Sequence, residues 1–510
     1  MTNANSVLHT APLAAVDMGS NSFRLEIGQL HRGRYRRIQY FKRTVRLGAG
    51  LDANGMLTEE AAQRGLACLR EFATQLAAFM PEQLRTRVRA VATQTLREAR
   101  NRDAFLLRAQ EALGFAIEVI SGREEARLIY AGVAHLQPSP ERRLVVDIGG
   151  RSTELILGVG ATPEKAESFG VGCVSLSQRF FPDGRLSDAA FRAAQVAAGA
   201  ELEEALLPFA RQHWHHALGS SGTAGAVSQV LQAAGVSDGR ITPQGLRWCI
   251  ERCIEAGQIE RITLPGLKPE RREVLPGGLA ILYTLAANFQ IDELLPARGA
   301  LRQGVIVELH ARLVAPSGVG SHEQPHDLRD GSVQELQRRF EVDAGQAQRV
   351  ASIALALYQG VQPDVDAESR RELGWACALH EIGLMVSHHD HHRHSAYLLA
   401  HVDAPGFSQS KQRRIGDLVL AQRGGLRKIE AQLAHPGFAW QALCLRLAVI
   451  KCHARGPVNT QALALRGAGR EAWLDYSGGW AETHPRTVFL LQEDAATWAR
   501  SGSLRLALPA

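Results

Sequence analysis

The chain has 510 residues, 45% of them hydrophobic and 22% charged, with 58 Lys and Arg against 52 Asp and Glu for a formal net charge of +6. That mixture excludes a disordered or collagen-like chain and predicts about three domains of ~100–200 residues. No apolar stretch approaches the ~20 residues needed to span a membrane, and residues 1–12 carry neither a basic segment nor a long apolar run, so no signal peptide is predicted.

The periodicity predicts a strand over residues 13–16, a tight turn over 17–22 (DMGSNS) and a second strand over 23–27. Residues 31–46 hold seven Lys or Arg and no acid. One local surface should therefore be strongly positive, suited to nucleic acid, a nucleotide or a phosphate polymer. A strand is expected over 84–92, a helix over 93–115, a strand over 116–120 and an amphipathic helix over 123–136. The strand–turn–strand pattern returns at 144–157, with DIGGRST as its turn. A strand near Ala166, a helix over 187–211 and a strand-to-glycine turn over 217–223 follow. Residues 313–327, rich in Pro, Gly, Ser and His, read as a linker. Beyond it the pattern predicts helices over 333–359, 367–386, 409–421 and 440–453, with late strands at 472–476 and 488–492. The seven cysteines (Cys68, Cys173, Cys249, Cys253, Cys377, Cys444 and Cys452) are scattered and form no CxxC pattern. A reduced, cytoplasmic setting is expected; Cys249 and Cys253 read as ordinary core thiols.

The two strand–turn–strand segments superimpose at a constant offset of 130. Asp17 meets Asp147, Gly19 meets Gly149, Ser22 meets Ser152, Leu25 meets Leu155 and Gly28 meets Gly158. This predicts an internal duplication, two α/β halves facing a cleft. A Gly-rich turn between strands aims several backbone N–H groups at one spot and lets an anion approach closely. A carboxylate at the end of the first strand adds a place for Mg²⁺ beside that anion. Glu125 shares a helical face with Leu128 and Ile129 and should point inward, whereas Glu124 aligns with Arg127 and should pair at the surface.

The segments AAVDMGSNSFRLEI, ATQTLREARN, ISGREEARLIYAGV, VVDIGGRSTELILG, LGSSGTAGA and GALRQGVIVE resemble the exopolyphosphatase / guanosine pentaphosphate phosphohydrolase family. WACALHEIGL and HHRHSAYLL extend the resemblance to its long, exopolyphosphatase-type members. The resemblance implies a duplicated, actin-like ribonuclease-H-type α/β fold, that of sugar kinases and heat-shock chaperone ATPases, followed by a mainly helical HD-like domain. Expected boundaries are 1–135 and 136–312 for the two halves and 328–510 for the helical domain. It further implies Glu125 as the catalytic base and Asp17, Asp147 and Glu154 as ligands of Mg²⁺ or Mn²⁺. Gly19, Ser20, Asn21, Ser22, Arg97, Gly149, Gly150, Ser152, Gly222 and Thr223 would bind phosphate, with Thr93 lining the same cleft. Expected contacts to the polymer are Lys42, Arg43, Arg46, His392, Arg393 and His394. A homodimer is the family expectation.

Two positions depart from the family pattern. Arg151 stands where Gly is usual, so it either strains the turn or adds a guanidinium at the phosphate site. Arg298 stands where an acid is common. His380-Glu381 occupies the place of an HD pair, but the upstream His and the late Asp of a working HD site are missing, so the helical domain is expected not to hydrolyse. The histidines at 388–394 are expected to contact a phosphate chain rather than metal. The leading function is processive hydrolysis of inorganic polyphosphate, with the helical domain holding the trailing chain. Hydrolysis of guanosine pentaphosphate to the tetraphosphate, or a non-catalytic polyphosphate or alarmone sensor, are the alternatives.

Overall fold

The computed structural model describes residues 11–79, 82–314, 327–362 and 366–509. The chain divides into two compact units, Met1–His326 and Asp327–Ala510. Most of the expected linker lies outside the described residues.

Within the first unit, β1 (Leu13–Met18), β2 (Ser22–His31), β3 (Arg34–Thr44), β4 (Val88–Ala92) and β5 (Ile117–Val119) form one sheet in the order β3-β2-β1-β4-β5. The second sheet takes β6 (Arg142–Ile148), β7 (Thr153–Val159), β8 (Thr162–Phe169), β9 (His216–Ser220) and β10 (Leu294–Pro296) in the order β10-β9-β6-β7-β8. Strand for strand these are the same sheet. In each, three strands run antiparallel and the next two join in parallel. The register repeats too: Asp17 lies opposite Arg24 and Asp147 opposite Glu154. Even the irregularities match, since β2 slips between Ile27 and Gly28 and β7 between Leu157 and Gly158. Glycine is needed at both slips. A Cβ on Gly28 would come within 2.7 Å of Tyr35, and one on Gly158 within 2.3 Å of Tyr130.

Two helices sit between the sheets, Gly122–Leu136 and Leu301–Val314. They cross at glycines, because a Cβ on Gly304 would lie 1.8 Å from the Leu128 carbonyl oxygen and one on Gly132 2.4 Å from that of Ala300. Their apolar faces and the inner faces of β1, β6 and β7 form one core containing Ala15, Leu128, Val133, Val145, Ile156 and Val305. A core drawn from both halves makes them a single body with the turns of β1–β2 and β6–β7 facing each other across its end.

The expected helix over 93–115 is two helices, Gln94–Glu98 and Arg102–Leu113, because the chain turns at 99–101. The basic segment is mostly strand β3, at the edge of its sheet.

In the second unit the helices Leu328–Arg339, Ala344–Val361, Ala367–Leu379, His391–His401, Gln409–Ala421, Pro436–Lys451 and Pro485–Ser501 enclose a core of their own. The helix expected over 333–359 is interrupted at 340–343, where Glu341 takes φ 48° and Asp343 caps the next helix by accepting from Gln346 N. The strand expected at 488–492 is helical. Leu491 and Trp498, seven residues apart, are fully buried on one face, and a helical period explains that spacing. Three short strands, β11 (Leu463–Ala468), β12 (Glu471–Tyr476) and β13 (Arg505–Ala507), complete the unit. All seven cysteines are buried and free of disulfides. No helix among the described residues is long and apolar enough to cross a membrane.

Candidate active site

Two strand-ending turns and the first turn of a helix converge on one polar cavity of about 70 Å³. The turn after β1 brings Asp17, Gly19, Ser20, Asn21 and Ser22 to it, and the turn after β6 brings Asp147, Gly149, Gly150 and Ser152. The glycine turn expected after β9 is instead the start of the helix Ser221–Ala233, whose first turn brings Ser221, Gly222 and Thr223. The turns are tied together by their own polar groups. Ser221 Oγ and Thr223 Oγ1 donate to the Ile148 carbonyl at 3.2 and 3.1 Å. Cys173 N and Val174 N donate to the carbonyls of Gly149 and Gly150 at 3.0 and 2.8 Å, which seats the N-terminus of the Cys173–Phe180 helix behind the second turn. Ser221 takes φ 63°, a left-handed conformation that costs a side-chain-bearing residue energy and often marks a functional site. Ser22 Oγ, in the first turn, is buried and has no hydrogen-bond partner in the protein. A buried hydroxyl left unpaired calls for a ligand oxygen or water.

Glu125 enters from the helix Gly122–Leu136. Ser121 caps that helix by accepting from Glu124 N at 3.1 Å, so Glu125 sits in the first turn, where the helix dipole favours a carboxylate. Its Oε2 accepts from Arg97 Nη1 at 2.8 Å. Arg97 is held in turn by the Ile120 carbonyl at 3.0 Å and by Gln94 Oε1. Thus Arg97 orients the glutamate, and its donors face Glu125, Gln94 and Ile120 rather than the glycine-rich turns. Burial pushes the Glu125 carboxyl up to about 6 against the lowering effect of Arg97, with Asp17 and Asp147 adding repulsion. Burial also raises Asp147, opposed by hydrogen bonds from Ser221 and Ser220. Glu154 is raised well above the ordinary carboxylate range by burial, then by Glu125 and Asp147. Its Oε1 accepts from Ser168 at 2.8 Å. Glu125 and Asp147 line the cavity, with Glu154 close enough to repel both.

Such a set of mutually repelling carboxylates suits a hard dication. Among the described residues no three His, Cys, Asp or Glu are arranged to hold a metal by themselves. Mg²⁺ does not require that, since it commonly takes one or two carboxylates and completes its shell with substrate phosphate oxygens and water. Asp147 and Glu154 fit that role. Asp17 is already paired with Arg24 at 3.0 Å and approached by Arg302 at 3.5 Å.

Cations that sequence reasoning passed over line the same cavity: Arg24, Arg271 and Arg302. Arg302 is anchored by Glu26, which is fully buried and accepts from Arg302 Nε at 3.1 Å and Gln303 Nε2 at 2.6 Å. Arg271 forms no salt bridge among the described residues, and its guanidinium lies over Gly222, where a Cβ would stand 1.8 Å from Nη2. Lys42 belongs with this group. Burial, then Arg271 and Arg24, push its ammonium down to about 8. Arg271 had no motif signal, and nothing short of tertiary structure could place it.

Other expected contacts fall elsewhere. Arg43, on the opposite face of β3 from Lys42, pairs with Glu71, and Arg46 pairs with Glu273 at 3.0 Å. Arg151 takes no positive φ, so it does not strain its turn. Its guanidinium pairs with Glu98 at 2.7 Å and donates to the Gly48 carbonyl at 3.3 Å, away from the cavity lining. Arg298 is exposed and absent from the lining. Glu124 does pair with Arg127, at 2.7 Å, but inside the protein rather than at its surface, in a network with Glu308. In the second unit, His392 is 5% exposed and turned inward on its helix, which removes it as a polymer contact; Arg393 is exposed and His394 half-buried. His380 is buried, with Nδ1 2.7 Å from the Cys377 carbonyl oxygen.

The family model described as the Ppx/GppA phosphatase family matches residues 27–313, and that of Ppx/GppA phosphatase, domain III, matches residues 328–495. A crystal structure of the Aquifex aeolicus Ppx/GppA family member is 26% identical, covering 60% of this chain and 99% of its own, with a TM-score of 0.50. An exopolyphosphatase-like protein is 25% identical over 60% of this chain and 100% of its own, with a TM-score of 0.53. An exopolyphosphatase from Cytophaga hutchinsonii, 22% identical over 59% of this chain and 97% of its own with a TM-score of 0.52, shares the fold. The duplicated sheets are the actin-like architecture.

Proposed function

The chain belongs to the Ppx/GppA phosphatase family, and we propose that it is an exopolyphosphatase, releasing orthophosphate from the end of inorganic polyphosphate with Mg²⁺ or Mn²⁺. One observation carries the choice of substrate. The cavity is small and polar, has no aromatic residue in its lining, and meets Arg271, a cation that forms no salt bridge among the described residues, with Lys42 close by. Its ~70 Å³ is well below the roughly 300–1,000 Å³ of small-molecule sites. A phosphoryl group fits there, and the lining itself gives a nucleobase no ring to stack on; the exposed Tyr40 lies outside it, against Arg302 at 5.2 Å.

On this reading the backbone N–H groups of the turns and Ser22 Oγ cradle the terminal phosphoryl group. Arg271 and Lys42 neutralise the phosphates behind it, which become the leaving group. Glu125, held by Arg97, orients water and accepts its proton. Asp147 and Glu154 would hold the dication, which supplies neutralisation of charge on the phosphoryl oxygens. On the helical unit the trailing polymer would meet Arg393 and His394.

The deciding assay is orthophosphate release from long polyphosphate, guanosine pentaphosphate and ATP, each with and without Mg²⁺. Polyphosphate should be the best substrate by kcat/KM, and chelation should abolish turnover. A clear preference for guanosine pentaphosphate would replace this reading with the nucleotide one. Binding of polyphosphate without turnover of any of the three would make the protein a sensor.

A further inference from the structure

A second cavity lies wholly within the helical unit, with a volume of about 560 Å³. That is within the roughly 300–1,000 Å³ of small-molecule sites. Three separate stretches of chain build it. The segment leading into the Pro436–Lys451 helix supplies Leu426, Arg427, Glu430 and Leu433. The β11–β12 hairpin supplies Arg470, just after Gly469 at φ 62°, and the end of the Pro485–Ser501 helix supplies Arg500 and then Leu504.

The wall is two-sided in chemistry. Leu426, Leu433 and Leu504 are 3%, 6% and 4% exposed, so they form an apolar floor with little contact to bulk solvent. Arg427, Arg470 and Arg500 bring three positive charges against the single carboxylate of Glu430. None of the three arginines forms a salt bridge among the described residues, although Arg500 donates to Thr497 Oγ1 at 3.1 Å. All three are exposed, so their guanidiniums are free to meet an anion at the cavity.

We propose that this cavity binds a small phosphate monoester with an apolar body. A bare inorganic anion would use the arginines and leave the floor wet. An uncharged apolar molecule would use the floor and leave the guanidiniums without an anion. A monoester uses both, and its near-double negative charge matches the surplus of two positive charges at the wall. Such a site would let a metabolite regulate the protein at a place apart from its proposed hydrolytic cleft, and it does not rest on the choice of substrate there.

The test is isothermal titration calorimetry on the full chain with adenosine 5′-monophosphate and with hexyl phosphate, one an aromatic body and the other aliphatic. Neither contains a phosphoanhydride bond. Adenosine, hexanol, inorganic phosphate and tripolyphosphate serve as controls. At least one monoester should bind with one site per chain, and whichever binds tighter identifies the body as nucleoside-like or lipid-like. The double variant Arg470→Ala/Arg500→Ala should weaken that binding about tenfold or more, with unchanged melting temperature and orthophosphate release. Asp147→Asn, in the other unit, should leave it intact. No binding of either monoester at millimolar concentration would overturn the proposal, as would equal binding by the double variant. Equal binding of inorganic phosphate or tripolyphosphate that the double variant loses would show that charge alone is read at this cavity, and equal binding of adenosine or hexanol that only the floor matters; either result defeats it.

Discussion

Arg151 and Glu98 join the two halves of the first unit across the mouth of the cleft, with Nη2 2.7 Å and Nε 2.8 Å from the same carboxylate oxygen. Arg151 stands in the glycine-rich turn of the second half and Glu98 in the short helix that carries Arg97. The pair is partly solvated, with side chains 22% and 33% exposed. Its worth to stability is accordingly at the exposed end, about 0–1 kcal/mol. What it adds is a link between the turn of one half and the arginine that orients Glu125 in the other.

Arg151→Gly should leave phosphate affinity unchanged and should not stabilise the turn, since there is no left-handed strain to relieve. In a double-mutant cycle on melting temperature, Arg151→Ala and Glu98→Ala should couple by at most about 1 kcal/mol. A rise of more than a few-fold in KM for polyphosphate in Arg151→Gly would return Arg151 to the phosphate site.

Gly222→Ala should drive the Arg271 guanidinium off the first turn of the Ser221–Ala233 helix, because the new methyl group would stand 1.8 Å from Nη2. KM for polyphosphate should rise by about tenfold or more, the order of a lost charge-assisted contact. Gly225→Ala, three residues on in the same helix, meets nothing within 4 Å and is the control. It should be neutral or slightly stabilising, by about 0.5–1 kcal/mol. Equal kinetics for the two variants would remove Arg271 from the substrate.

Glu125→Gln should bind substrate normally and lose about 10²–10⁴-fold in kcat, the usual worth of a general base. Arg97→Lys should lower kcat in the wild-type background. It should do little in Glu125→Gln, because the group it positions is then absent. Additive losses would mean that Arg97 acts on the phosphate directly.

Asp147→Asn should shift the Mg²⁺ activation curve to higher concentration as well as lowering the rate. It removes a charged oxygen from the donor set of a hard cation. An activation curve that overlaid the wild type after scaling would exclude Asp147 as a ligand.

Asp327 caps the helix Leu328–Arg339, and the Arg329 guanidinium, with Arg371 beside it, outweighs burial to hold its carboxyl down to about 2. A carboxyl depressed in the folded state contributes stability above its unfolded value near 4, and that contribution is lost as pH falls toward 2. Thermal melts from pH 5 to pH 2 should show a steeper acid loss for the wild type than for Asp327→Asn, which begins lower. Parallel curves would contradict the pairing.

The amino-acid sequence by itself determined the duplication. Asp17 and Asp147, Gly19 and Gly149, and Gly28 and Gly158 recur at one spacing because identical strand–turn–strand units impose identical demands on backbone and carboxylate. These demands are local, so they show in the residues themselves. The inward face of Glu125 was legible for the same reason, through its helical neighbours Leu128 and Ile129. Tertiary structure decided everything that depends on which distant segments meet. Arg271 reaches the cavity only because its segment of the second half folds over Gly222. Arg151 and Arg97 were legible as cations near a cleft, but their partners Glu98 and Glu125 come from other segments. A guanidinium on a flexible stem takes its role from the carboxylate it finds, and only the fold supplies that carboxylate. His392 shows the converse: a histidine-rich run reads as a surface, yet the face each residue presents was set by how its helix packs.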